Sequence, residues 1–148
     1  MKAISMKIIS IAGFMLMFVT VVGLMINHAI FSNSLGLIGV QIAAAALMFW
    51  ARLTFGRRSF HTAADPTEGG LVTTGPYHFI RHPIYTAVCV FWWAGILSHM
   101  SAVSVVLGGF LVVGVFMRMF VEEHLLVQRY PDYRQYARAT KRMIPYLF

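Results

Sequence analysis

From Ile8 to Ile26 the chain carries no charged side chain at all. In hydrocarbon every backbone N–H and C=O must be satisfied internally, and a helix of about 20 apolar residues does this while crossing the bilayer. Three further apolar runs follow: Leu35 to Ala51, Ile84 to Leu97, and Ala102 to Val121, the last broken only by Arg118. With 148 residues, 59% hydrophobic and 11% charged, four such segments leave little chain for a soluble domain. The expected fold is all-α. It is a single polytopic membrane domain over 1–148 with four transmembrane helices (about 8–26, 35–51, 84–97 and 102–121) in two hairpins. A loop over 52–82 and a tail over 122–148 with a short amphipathic helix complete it. Lys2 and Lys7 ahead of the first run resemble the start of a signal peptide, but the run is too long and no Ala-x-Ala-like site follows it.

The charges predict an orientation. An even number of spans places both termini on one side, and all 12 Lys and Arg residues fall on that side, while the turns Asn27 to Ser34 and Ser98 to Ser101 hold none. The positive-inside rule makes that face cytoplasmic. The net charge of +7 therefore reads as topology and contact with anionic membrane lipids, not as nucleic-acid binding, for which no basic helix or fold signal is present. Asp65, Glu68, Glu122, Glu123 and Asp132 share that face with His61, His78, His82 and His124, whereas His28 and His99 lie in the opposite turns. Any chemistry belongs at the inner face. Cys89, alone, cannot form a disulfide within the chain and reads as a packed thiol.

The stretch "GPYHFIRHPIY" (75–85) places Arg81 and two histidines against the third apolar run. That run would cover only about 21 Å as a helix, well short of the ~30 Å hydrocarbon core, so polar groups are expected at membrane depth. If the helix starts at Pro83, Arg81 and His82 lie at its positive end, where an anion such as a carboxylate is well placed. The plainer alternative is that they snorkel to headgroups. A second constellation closes the fourth run: "VEEHLL" and then "RYPDYRQYARATKRMIPYLF". Glu122 and Glu123 are expected at the negative end of a helix, an unfavourable position. Arg118 can pair with Glu122 at i,i+4 spacing. Glu123, turned about 100° away, has no obvious local partner and is the better candidate to hold a cation or sugar hydroxyls. Pro131 and Asp132 read as the start of a short interfacial helix carrying tyrosines and arginines.

"LVTTGPYHFIRHPIY" followed by "EEHLL…RYPDYRQYARATKRMIP" resembles the isoprenylcysteine carboxyl methyltransferase and phospholipid methyltransferase group of integral membrane enzymes, over roughly Leu71 to Pro145. The resemblance implies an S-adenosylmethionine-dependent methyltransferase. It implies that Gly75, Pro76, Tyr77, His82, Tyr85, Glu122, Glu123 and Leu125 line a cofactor pocket, and that Tyr133, Tyr136, Arg142 and Pro145 close over it. The donor's carboxylate would suit the helix start with Arg81 and His82. Glu123, Arg142 and His124 are the candidates for catalysis. Methyl transfer from a sulfonium needs alignment and exclusion of water, and neither metal nor covalent intermediate. The family pattern RHPxYxG has Ala87 here in place of its last glycine, which puts a methyl group at a site of close packing. The acceptor is expected to be lipid-like or small and apolar. A carboxylate needs no base, whereas an amine or thiol would give a proton to His124 or Glu123.

Competing readings are a haem- or quinone-binding subunit with His82 and His124 as axial ligands, a zinc site from His78 and His82, and a non-catalytic scaffold. In the last, Ala43 to Ala46 and Gly108, Gly109 and Gly114 would pack helices within a monomer or across a homodimer.

Overall fold

A computed structural model describes residues 3–56 and 70–148. Lys2, Arg57, Arg58, His61, Asp65 and Glu68, which contribute to the charge reading above, lie outside the described residues. Those residues form five α-helices and no strand: α1 (Ala3–Ile26), α2 (Leu35–Phe55), α3 (Pro83–Ser98), α4 (Ala102–Arg129) and α5 (Tyr133–Ala139). α1, α2 and α4 are long and apolar enough to cross a membrane. α3, with 16 residues, is shorter and equally apolar. The exposed surface of the long helices is largely Ile, Val, Phe and Leu, as a lipid-facing surface requires.

Local chemistry sets the ends. Pro83 opens α3, where its missing N–H leaves nothing unsatisfied. Ser101 caps α4 by accepting from the Ser104 N–H, while the Ser104 hydroxyl accepts from the Ser101 N–H. α4 does not stop at Val121 as the apolar run suggested. Hydropathy marks only the part of a helix suited to hydrocarbon, and nothing in "EEHLLVQR" breaks a helix until Tyr130 is driven to an extended backbone ahead of Pro131. Glu122 and Glu123 thus sit about two turns before the end of α4, where the end dipole no longer disfavours them. α5 starts at Tyr133, not at Pro131, and ends at Ala139. Lys141 then forms a parallel bridge to Ile80 instead of continuing the helix.

The two hairpins are joined crosswise, α1 packing along α4 and α2 along α3, with α3 and α4 also in contact. Glycine permits the first crossing: a Cβ on Gly13 would lie 3.0 Å from the Gly114 carbonyl oxygen, and one on Gly114 would lie 2.9 Å from that of Gly13. Gly108 meets Ile96 and Trp93, whereas Gly109 faces open space. Leu24, Ala29 and Ile96 form a buried cluster with Trp92, Trp93 and Leu107. Ala87, in place of the family glycine, is buried, so its methyl group is accommodated.

Gln41 is a polar residue buried in α2 that apolar patterning passes over. Its amide nitrogen donates to the carbonyls of Ile30 (2.6 Å) and Phe91 (3.2 Å), and its oxygen accepts from the Ser32 N–H (3.0 Å). It ties the α1–α2 turn to the middle of α3. Gln41→Leu should therefore lower stability by about 2 kcal/mol, because a buried N–H and carbonyls lose their partner. Thermal unfolding in detergent micelles measures this, and an unchanged midpoint would show that the staple contributes nothing.

Candidate active site

The basic end of the bundle gathers side chains from four separate segments. The backbone N–H groups of Arg81 and His82 donate to the carbonyls of Lys141 (2.8 Å) and Arg142 (2.9 Å), so the tail is laid against the start of α3 like a short strand. Thr86 strengthens the junction by donating to the Met143 carbonyl (2.9 Å). The Tyr136 hydroxyl donates to the Tyr77 carbonyl (2.6 Å), which fixes α5 over the 3-10 turn Gly75–His78. That turn needs Gly75. Its φ is +58°, and a Cβ would lie 2.7 Å from the Thr54 hydroxyl of α2.

Glu123 is the hub. One carboxylate oxygen accepts from Arg81 Nε (2.8 Å) and lies 3.4 Å from His82 Nε2, while the other accepts from Arg142 Nε (2.9 Å). Sequence reasoning left Glu123 without a local partner because all three partners are distant in the chain. It also offered Arg81 as the cradle for a carboxylate, and the carboxylate that Arg81 holds is that of Glu123. The same guanidinium donates to the carbonyls of Ala137 (2.9 Å) and Thr140. Arg142 lies over the rings of Phe120 (5.5 Å) and Phe148 (5.3 Å).

Behind this hub Tyr85 stacks on His82 at 5.6 Å and donates to Glu122 (3.0 Å), while Arg118 Nε donates to the Tyr85 hydroxyl (3.1 Å). Glu122 and Glu123 thus serve two faces of α4, one toward Tyr85 and the other toward the tail. Burial, and after it the charge of Glu122, pushes the Tyr77 phenol up. Burial and then Glu123 do the same for Tyr133, and Tyr136 is pushed up to about 12, chiefly by burial. All three stay protonated donors at neutral pH.

A cavity of about 640 Å³ opens between the end of α4 and the tail. Among the expected site residues Arg81, Glu123, His124, Tyr133 and Arg142 line it. His82 and Tyr85 stand behind its wall, Glu122 lies on the other face of α4 against Tyr85, and the Tyr77 ring packs on Phe55 of α2 at 5.5 Å. Leu125 packs toward the α1–α4 seam with Met6 and Val121. Phe120, Arg138, Lys141 and Phe148 also line it and were not anticipated. Phe120 is legible in hindsight, one turn before Glu123 on the same helical face, whereas Arg138 belongs to an expected interfacial helix whose arginines suit headgroups. The Tyr133 hydroxyl is buried with no hydrogen-bond partner among the described residues.

His82 is buried against Tyr85 and Glu123, His78 is exposed with its ring edge-on to Phe79, and His124 is exposed and bonded to Gln128 (3.0 Å). The imidazoles invoked for haem or zinc therefore serve different neighbours.

The phospholipid methyltransferase family matches residues 29–133, from the α1–α2 turn through the first residue of α5. The nickel-cobalt-cadmium resistance protein NccN of Alcaligenes xylosoxydans xylosoxydans is 35% identical over 119 residues, covering 77% of this chain and 50% of that protein. The cobalt-zinc-cadmium resistance protein CzcN of Cupriavidus metallidurans is 28% identical over 115 residues, covering 77% and 49%. The chain spans about half the length of both relatives. No solved structure matches it significantly. The matched span takes in α2, the 3-10 turn, α3, α4 and Tyr133, the elements that supply Arg81, His82, Tyr85, Glu122 and Glu123 to one end of an apolar bundle, and on that ground the chain belongs to the phospholipid methyltransferase family.

Proposed function

We propose that this protein is an S-adenosylmethionine-dependent methyltransferase acting on a lipid-like or small apolar acceptor at the cytoplasmic face of its membrane. The observation that carries the reading is convergence: the start of α3, the end of α4 and the tail bring charged groups to one cavity beside lipid-facing helices. The segregation of Lys and Arg to that end supports a cytoplasmic assignment for it and for both termini. Its cations also suit contact with anionic membrane lipids.

The residues fit the methyl donor. The cavity is within the usual range for small-molecule sites, and Tyr133, which lines it, has a buried hydroxyl with no hydrogen-bond partner among the described residues, a donor suited to a ligand. Arg138, Lys141 and Arg142 suit the donor's carboxylate, the Glu123 carboxylate on the wall suits its positive charge or ribose hydroxyls, and Phe120 and Phe148 offer aromatic surface. When bound, S-adenosylmethionine supplies a methyl group already activated by its sulfonium. The chain then has to orient the two reactants and keep water out. Glu123, gripped by two arginines, is a weak base. His124, on the cavity wall and bonded only to Gln128 among the described residues, is the group placed to take a proton from an amine or thiol. A carboxylate acceptor would leave it without that role.

Titration of S-adenosylhomocysteine into the micelle-solubilised chain tests the donor site. Binding is expected for the wild type and should weaken at least tenfold in Glu123→Gln and His82→Ala. No heat and no thermal shift at millimolar ligand would reject the reading. Incubating membranes with methyl-labelled donor and separating lipid, small-molecule and protein fractions then identifies the acceptor class.

A further inference from the structure

We infer that Arg118 is a positioning residue for the methyl-donor site, acting through the Tyr85 hydroxyl to set the Glu122 carboxylate. The inference rests on the donor reading above. Arg118 lies one turn deeper in α4 than Glu122 and is only 7% exposed. A guanidinium at membrane depth is expensive to desolvate and cannot shed its proton. This one does not snorkel outward. It lies over the Phe14 ring of α1 at 5.4 Å, and α1 makes room for it with Gly13, where an added Cβ would come within 3.2 Å of Arg118 Cγ.

What the buried charge achieves is polarity in a hydrogen-bond chain. A guanidinium only donates, so the Tyr85 oxygen must accept from Arg118 Nε (3.1 Å), and the single phenolic proton is then directed to Glu122 Oε2 (3.0 Å). A carboxylate only accepts, so the proton points to Glu122 in either case, but without Arg118 the Tyr85 oxygen loses the donor that holds it in place, and the bond to Glu122 loses its fixed geometry. Tyr85 also carries the effect sideways, since its ring stacks on His82, whose Nε2 faces Glu123. Arg118 is thus the inner end of a chain that runs by hydrogen bonds to Glu122 and, through the Tyr85–His82 stack, to Glu123 on the cavity wall, without itself lining the cavity.

The test is a set of S-adenosylhomocysteine titrations on the full-length chain in micelles, with thermal unfolding recorded in parallel to establish that each variant is folded. Arg118→Met and Tyr85→Phe should each raise Kd about tenfold, and the double variant should be no worse than either single one, because both break the same link. Arg118→Lys, which still donates, should recover part of the affinity. In a Glu122→Gln background neither substitution should add anything. If Arg118→Met does not fold, Tyr85→Phe, which deletes a single oxygen, carries the same expectation. A folded Arg118→Met binding within twofold of wild type, or effects that add fully in the double variant, would overturn the positioning role. Failure of the wild type to bind would instead remove the donor reading itself.

Discussion

Glu123→Ala should be the most damaging truncation at the basic end of the bundle. Arg81 is nearly buried, so removing Glu123 strands a guanidinium cation whose remaining partners are the Ala137 and Thr140 carbonyls. Breaking one side of a buried ion pair costs about 3–5 kcal/mol, and the two carbonyl contacts hold this case near the lower figure. Arg142 loses its partner too, but it is one-third exposed and keeps Phe120 and Phe148, so it adds little. The expected fall in melting temperature is on the order of 8 °C. Glu123→Gln, which keeps a neutral acceptor in the same place, should lose roughly half as much. Replacing Arg81 by Met together with Glu123→Gln should recover stability relative to Glu123→Ala, because no unpaired charge is then buried. A Glu123→Ala protein that melts with the wild type would mean that water reaches Arg81 freely and that the cluster is a surface feature.

The same residue shows where sequence reasoning reaches and where it stops. Four apolar runs are legible because hydrocarbon imposes a length and forbids charge, and Pro83 announces the start of α3. The convergence of the RHPxY stretch with the paired glutamates follows from a hairpin that returns to its own side. The partners of Glu123 were not legible. Arg81 is 42 residues before it and Arg142 is 19 after it, and only the bridge from Ile80 to Lys141 brings them together. A local rule such as i,i+4 pairing found Arg118 for Glu122 but could not see that Tyr85, 33 residues before Arg118, bonds to both. Cations destined for a cavity wall, such as Arg138 and Lys141, look the same in one dimension as cations destined for headgroups.

Glycine is the other element that sequence could flag but not interpret, and Gly95→Ala is the sharper test. A Cβ there would lie 2.2 Å from the Ala29 carbonyl oxygen and 2.8 Å from that of Ile30. Neither atom is the end of a flexible side chain. The Ala29 N–H is bonded to the Leu24 carbonyl, and the Ile30 carbonyl accepts from Gln41. The clash can be relieved only by moving α3 away from the α1–α2 turn, which strips Gln41 from the Phe91 carbonyl as well. Overpacking of this kind costs about 3 kcal/mol. Because a helix moves as a rod, the shift should also reach His82 and Tyr85, about 18 Å away at the other end of α3. Gly95→Ala is therefore expected to lower the melting temperature and to weaken S-adenosylhomocysteine binding together, although it touches no group at the cavity. Gly39→Ala in α2 is the control: its added methyl meets nothing within 4 Å and raises helix propensity, so stability should hold or rise slightly. If Gly95→Ala and Gly39→Ala melted alike, α3 would not be pinned against the turn, and the site at its far end would have to be positioned by the tail alone.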